Sequence, residues 1–89
     1  MQSLTLKRLL VRLRQLRAAH NLTQEQFAEL SHISYKYYQA VEAGRKRELR
    51  LSTVERFARA YGIEVWQLLG PNLPKTRIST RRFTLKPRR

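Results

Sequence analysis

Residues 22–44 read LTQEQFAELSHISYKYYQAVEAG, and the fold turns on them, because helix-start and helix-stop residues alternate there twice in quick succession. Thr23 is placed to cap a helix, Gln26 follows three residues later to complete a capping box, and Leu22 staples onto Phe27. Phe27, Ala28 and Leu30 give that helix its apolar stripe, while Gln24, Glu25 and Glu29 lie on the wet side. Ser31 and His32 interrupt it. Ile33 and Ser34 then repeat the pattern, with Ser34 as cap and Ile33 stapled to Tyr38. Advancing about 100° per residue groups Tyr38 with Val41 on one face and puts Ser34 and Tyr37 at its flanks. Lys36, Gln39 and Ala43 fall opposite, bordered by Tyr35, Ala40 and Lys46. Gly44 is the left-handed stop, and Arg45, Lys46 and Arg47 follow it at once.

Two short helices joined by a tight turn form a helix-turn-helix, whose second member fits a major groove about 12 Å wide. The rest of the chain supports that reading. Leu6, Leu9, Leu10, Leu13 and Leu16 recur at three-and-four spacing with Lys7, Arg8, Arg12, Arg14 and Arg17 between them, which predicts an amphipathic helix from residue 5 to about 19 closing over the core. Asn21 is its left-handed terminator, and Leu4 and Val11 fall off the stripe. Beyond the basic loop, Ser52 and Glu55 read as a second capping box opening a helix whose buried face is Val54, Phe57, Ala58 and Tyr61, ended by Gly62. Ile63, Val65, Trp66, Leu68 and Leu69 suit a last short helix stopped at Gly70-Pro71, with Trp66 expected in the core or over its edge. The expected fold class is therefore all-α, a five-helix helix-turn-helix domain over residues 1–70 followed by a basic C-terminal arm, residues 71–89. The arm, PNLPKTRISTRRFTLKPRR, reads either as a disordered basic tail or as a strand that pairs with another chain.

Composition bounds the alternatives. Eighty-nine residues, 42% of them hydrophobic, suffice for one domain with one small core. The absence of cysteine excludes a disulfide framework, thiolate metal ligands and a thiol nucleophile. No apolar run approaches the ~20 residues that span a bilayer, and the N-terminus lacks the pattern of a secretory signal, so a cytoplasmic, nucleoid-associated protein with no membrane role is expected. Nineteen Lys and Arg against six Asp and Glu give a formal charge of +13, which favours polyanionic partners. The charge is concentrated at the two ends: residues 1–20 and 71–89 carry no acidic group at all.

From Leu13 to Leu69 the sequence resembles the Cro-like, phage-repressor family of helix-turn-helix proteins, also called the xenobiotic-response-element family. The family string L-T-Q-x-x-[LF]-A, a serine-led recognition helix, E-x-G-[KR]-[KR] and L-A-x-A-x-G-[IV] stands here as LTQEQFA, ISYKYYQAVEAGRK and FARAYGI. Where the family usually has a shorter loop ending in Pro-Ser, this chain carries RKRELRL, residues 45–51, without proline. The resemblance implies double-stranded DNA as the partner, binding as a homodimer, and a backbone-gripping role for Gln24.

On the residues themselves, Tyr35, Lys36 and Gln39 on the outer face of the helix at 34–43 are the expected readers of base edges and phosphates, with Ala40 beside them. Ser34 divides between capping and phosphate contact. Tyr37 flanks the buried face with a hydroxyl able to reach a phosphate. Arg45, Lys46 and Arg47, together with Arg50, form either a solvated turn or a phosphate clamp, and their position after the recognition helix favours the clamp. His20 reads as a helix-end cation and His32 as a turn residue, since neither has a second ligand at metal spacing. Neither a catalytic constellation nor a cofactor motif stands out, so no enzymatic activity and no cofactor are expected. The function these readings support is a DNA-binding transcriptional regulator, a repressor on an inverted repeat. The surfaces available for pairing two copies are Val65, Trp66 and Leu69, the Val11 edge, or the tail. An antitoxin-like module whose residues 71–89 bind a partner protein is the alternative, and a charge-driven architectural or RNA-binding protein is a second.

Overall fold

The structure, a computed structural model, describes residues 3–78. These form five helices: α1 (Leu4–Ala19), α2 (Gln24–Leu30), α3 (Tyr35–Glu42), α4 (Leu51–Ala60) and α5 (Val65–Leu69). No strand occurs among the described residues. The all-α, five-helix expectation is met.

The helices begin where side chains take up free N–H groups. Ser3 accepts from the Leu6 N–H at 3.0 Å, Thr23 from that of Gln26 at 3.0 Å, and Ser34 from that of Tyr37 at 3.0 Å. Gln26 returns the favour to the Thr23 N–H at 2.9 Å, completing the capping box. Four helices stop in the same way. After α1, α2, α3 and α4 a residue takes a left-handed conformation, namely Asn21 (φ 55), His32 (φ 62), Gly44 (φ 79) and Gly62 (φ 68). In each case the following N–H reaches back five residues, as Leu22 does to Arg17 at 2.9 Å, Ile33 to Ala28, Arg45 to Ala40 and Ile63 to Ala58 at 3.0 Å. That is the Schellman closure, and it satisfies carbonyls that would otherwise be orphaned.

Phe27 is the hub of the core. Its ring stacks on Tyr61 at 4.7 Å and meets Tyr38 edge-on at 5.1 Å and Phe57 at 5.7 Å. The five α1 leucines, Leu22, Ala28, Leu30, Val41, Val54, Ala58 and Leu68 complete the buried cluster. Leu4 and Val11 lie exposed, as their positions off the stripe imply.

Two expectations fail. Ser52 does not cap α4; the helix starts at Leu51 with Arg50 as its cap residue, which offers no side-chain acceptor. With no proline to halt it, the loop feeds directly into helical geometry, and the Thr53 and Val54 N–H groups both bond the Arg50 carbonyl. Trp66 is neither core nor edge cover, being 72% exposed. Helix α5 has five residues and reaches the core chiefly through Leu68, which places Trp66, two positions earlier, on the far side.

The chain does not leave the domain at Pro71. Arg12 of α1 donates to the carbonyls of Gly70 at 3.0 Å and Asn72 at 2.9 Å, fixing the exit from α5. Residues 72–78 then run back as a strap: Thr76 Oγ1 lies 2.5 Å from His20 Nε2, the Arg77 N–H bonds the Tyr61 carbonyl at 3.0 Å, and Ile78 packs on the core. The proposed strand or disordered tail beyond Ile78 lies outside the described residues.

Candidate nucleic-acid interface

Helix α3 is anchored from behind. Tyr38, Val41 and Glu42 are buried on one side of it, and that stripe decides which side chains face out. Tyr35 and Lys36 are exposed on the other side, with Gln39 and Ala40 half-buried beside them. The Gln39 amide donates to the Tyr35 hydroxyl at 3.2 Å, so two of the expected readers form a connected pair on the surface of the helix. Ser34 is exposed at the helix start, but its Oγ accepts the Tyr37 N–H. Tyr37 is half-buried against the core, and the Lys46 ammonium sits 5.2 Å above its ring, a cation–π contact that ties the basic loop to the helix. Arg45 and Arg47 are exposed on that loop.

Gln24 opens α2 and is also brought to this face, although it is half-buried rather than on the wet side. Its Nε2 donates to Glu42 Oε1 at 2.9 Å. An amide carries two N–H donors, so one remains for a ligand outside.

Glu42 is the residue that pattern reading passed over. Only 3% exposed, it receives Arg17 Nε at 2.6 Å, Arg17 Nη2 at 3.0 Å, Gln24 and the Tyr38 hydroxyl. Its backbone carbonyl accepts from Arg14. Burial alone would raise the Glu42 carboxyl, but hydrogen bonds from Arg17, then Tyr38 and Gln24, outweigh it and hold the group below the ordinary carboxylate range. The Glu42 hydrogen bond raises Arg17 in turn, and burial followed by the bond to Glu42 raises Tyr38. The signal was present: Glu42 stands four positions after Tyr38 and therefore on the same buried face. One carboxylate thus joins α1, the start of α2 and the end of α3, and sets the recognition helix relative to the residue expected to grip the backbone.

This arrangement, a helix pair whose second member turns an acid-free side outward and is followed by a cationic loop, suits insertion into a groove between phosphates. A family model described as helix-turn-helix matches residues 13–65. No curated protein matches the chain, and no solved structure does.

Proposed function

The chain belongs to the Cro-like helix-turn-helix family and is a DNA-binding transcription regulator, and from that premise we propose that it is a repressor binding an inverted-repeat operator as a homodimer. Helix α3 lies in the major groove with Tyr35, Lys36 and Gln39 toward base edges. Gln24, Ser34 and the Arg45, Lys46 and Arg47 loop hold phosphates on either side, with Tyr37 and Ala40 lining the contact. The observation that carries this reading is the two-sidedness of α3, locked inward by Tyr38, Val41 and Glu42 and open outward at Tyr35 and Lys36.

Pairing is supported by apolar surface left uncovered at one end. Trp66 and Leu69 sit on one side of α5; Trp66 borders one hollow with Pro71 and Pro74, and Leu69 borders a second that takes in Pro71 and the exposed Val11 of α1. Two copies joined there bring two recognition helices to one duplex, and half-sites about 34–36 Å apart are the spacing that successive major grooves demand. The antitoxin-like alternative has less in its favour, because residues 76–78 are already engaged by their own domain.

Selection of binding sites from a random duplex pool at physiological salt tests the proposal. A two-fold symmetric motif is expected. Recovery of unrelated sequences would overturn sequence-specific repression, and a single unrepeated half-site would overturn the homodimer. Low-salt affinity is no test, since a charge of +13 guarantees it.

A further inference from the structure

On the far side of the α2–α3 turn, the second half of α4 and the strap enclose an open cavity of about 470 Å3. Its polar wall is Ser31, His32, Arg56, Arg59 and Arg77, and among the described residues no carboxylate lines it. The arginines come from two elements, α4 and the strap. Arg56 Nη1 donates to the carbonyl of the left-handed His32 at 2.7 Å, which orients the guanidinium and leaves its other N–H groups pointing elsewhere. Arg59 is one helical turn further along α4. Arg77 arrives on the strap, pinned by its N–H on Tyr61 and by Ile78 on the core. The strap passes so close to Gly62 that an added Cβ there would stand 3.1 Å from the Arg77 carbonyl oxygen, so this glycine permits the approach as well as the left-handed φ. Arg59 also borders the neighbouring hollow with Glu55 and Glu64, yet forms no ion pair with either.

Three arginines border one open space, and the planar fork of a guanidinium matches phosphate oxygens two at a time. We infer that this cavity is a seat for a phosphate-bearing anion, separate from the face of α3. Its position beside the turn leading into α3 leaves two sources for that chemistry: a backbone phosphate flanking the groove, or a free phosphorylated small molecule.

Pyrophosphate is the probe. Thermal unfolding of the full chain is followed with increasing pyrophosphate in the wild type, in Arg59→Gln/Arg77→Gln, and in the charge-matched control Arg88→Gln/Arg89→Gln, which removes two cations from the end of the sequence. At ten times its Kd the probe should raise the wild-type and control Tm by roughly 5 °C or more, and the effect should be lost in Arg59→Gln/Arg77→Gln. An equal response in both double variants would overturn the seat, because only net charge would then be felt. Binding of a short duplex separates the sources. A DNA phosphate predicts a loss at least threefold greater in Arg59→Gln/Arg77→Gln than in the control; a free ligand predicts equal losses with the pyrophosphate response intact. Because the thermal arm contains no DNA, failure of the operator proposal and failure of this seat are distinguishable.

Discussion

At the scale of single residues, Glu42 carries the most consequence for the least chain. Removing one partner from a buried, hydrogen-bonded ion pair typically costs about 3 kcal/mol or more, since the charge left behind stays desolvated. Glu42→Gln should therefore lower stability at pH 7 by roughly 3 kcal/mol in urea unfolding. Its pH dependence follows from the lowered carboxyl. The stabilisation is complete above the ordinary value of 4.5 and is lost as pH falls through the lower folded value, so the gap between wild type and variant should narrow toward pH 3. A gap unchanged between pH 7 and pH 3 would show that the carboxylate charge is not what is lost. Helical periodicity, though not applied to Glu42, suffices to put it on the buried face four positions after Tyr38; it could not name Arg17 as the partner, because that pairing spans 25 positions and depends on how α1 crosses α3. Gln24 was misjudged for the same reason: its wet position on α2 becomes half-buried once the end of α3 is set against it.

At the scale of elements, starts and stops were legible wherever the chemistry is local. Thr23 with Gln26, and Ser34, cap what they were expected to cap, and Asn21, Gly44 and Gly62 stop what they were expected to stop. The start of α4 was not legible, since Ser52 has the right chemistry and the wrong backbone: it lies inside the first turn. Arg50 has the extended cap conformation, φ −68 and ψ 145, without an acceptor. Arg50→Ser should accordingly stabilise the domain by about 1 kcal/mol, a rise of several degrees in Tm by calorimetry. The strap was invisible to pattern reading because it has no periodicity, and its partners are supplied by two distant elements, Arg12 and the cap residue His20 by α1 and the cap residue Tyr61 by α4. Ending the chain at Gly70 removes Ile78 from the core and unpairs the Tyr61 carbonyl, so a loss of about 2 kcal/mol relative to the full chain is expected in urea. Unchanged stability would mean that the strap is a passenger.

At the scale of the molecule, charge and shape divide the work of binding. In the proposed complex the cations of the loop after α3 contribute to every sequence alike, whereas the α3 residues Tyr35, Lys36 and Gln39 discriminate. Arg45→Gln/Arg47→Gln should weaken specific and random duplexes in parallel and reduce the slope of log Kobs against log salt by about 2 units. Gln39→Ala should instead change the ranking of operator variants, and equal losses on operator and random DNA would falsify its assignment as a reader. Trp66 adds a convenience of a different kind. As the sole indole in the sequence, standing at the rim of the uncovered apolar end, it makes the unlabelled protein its own optical probe. Acrylamide, being neutral and so indifferent to the surrounding cations, should quench its emission freely in dilute solution and progressively less as concentration rises, so that a dilution series in a cuvette measures self-association with no dye attached.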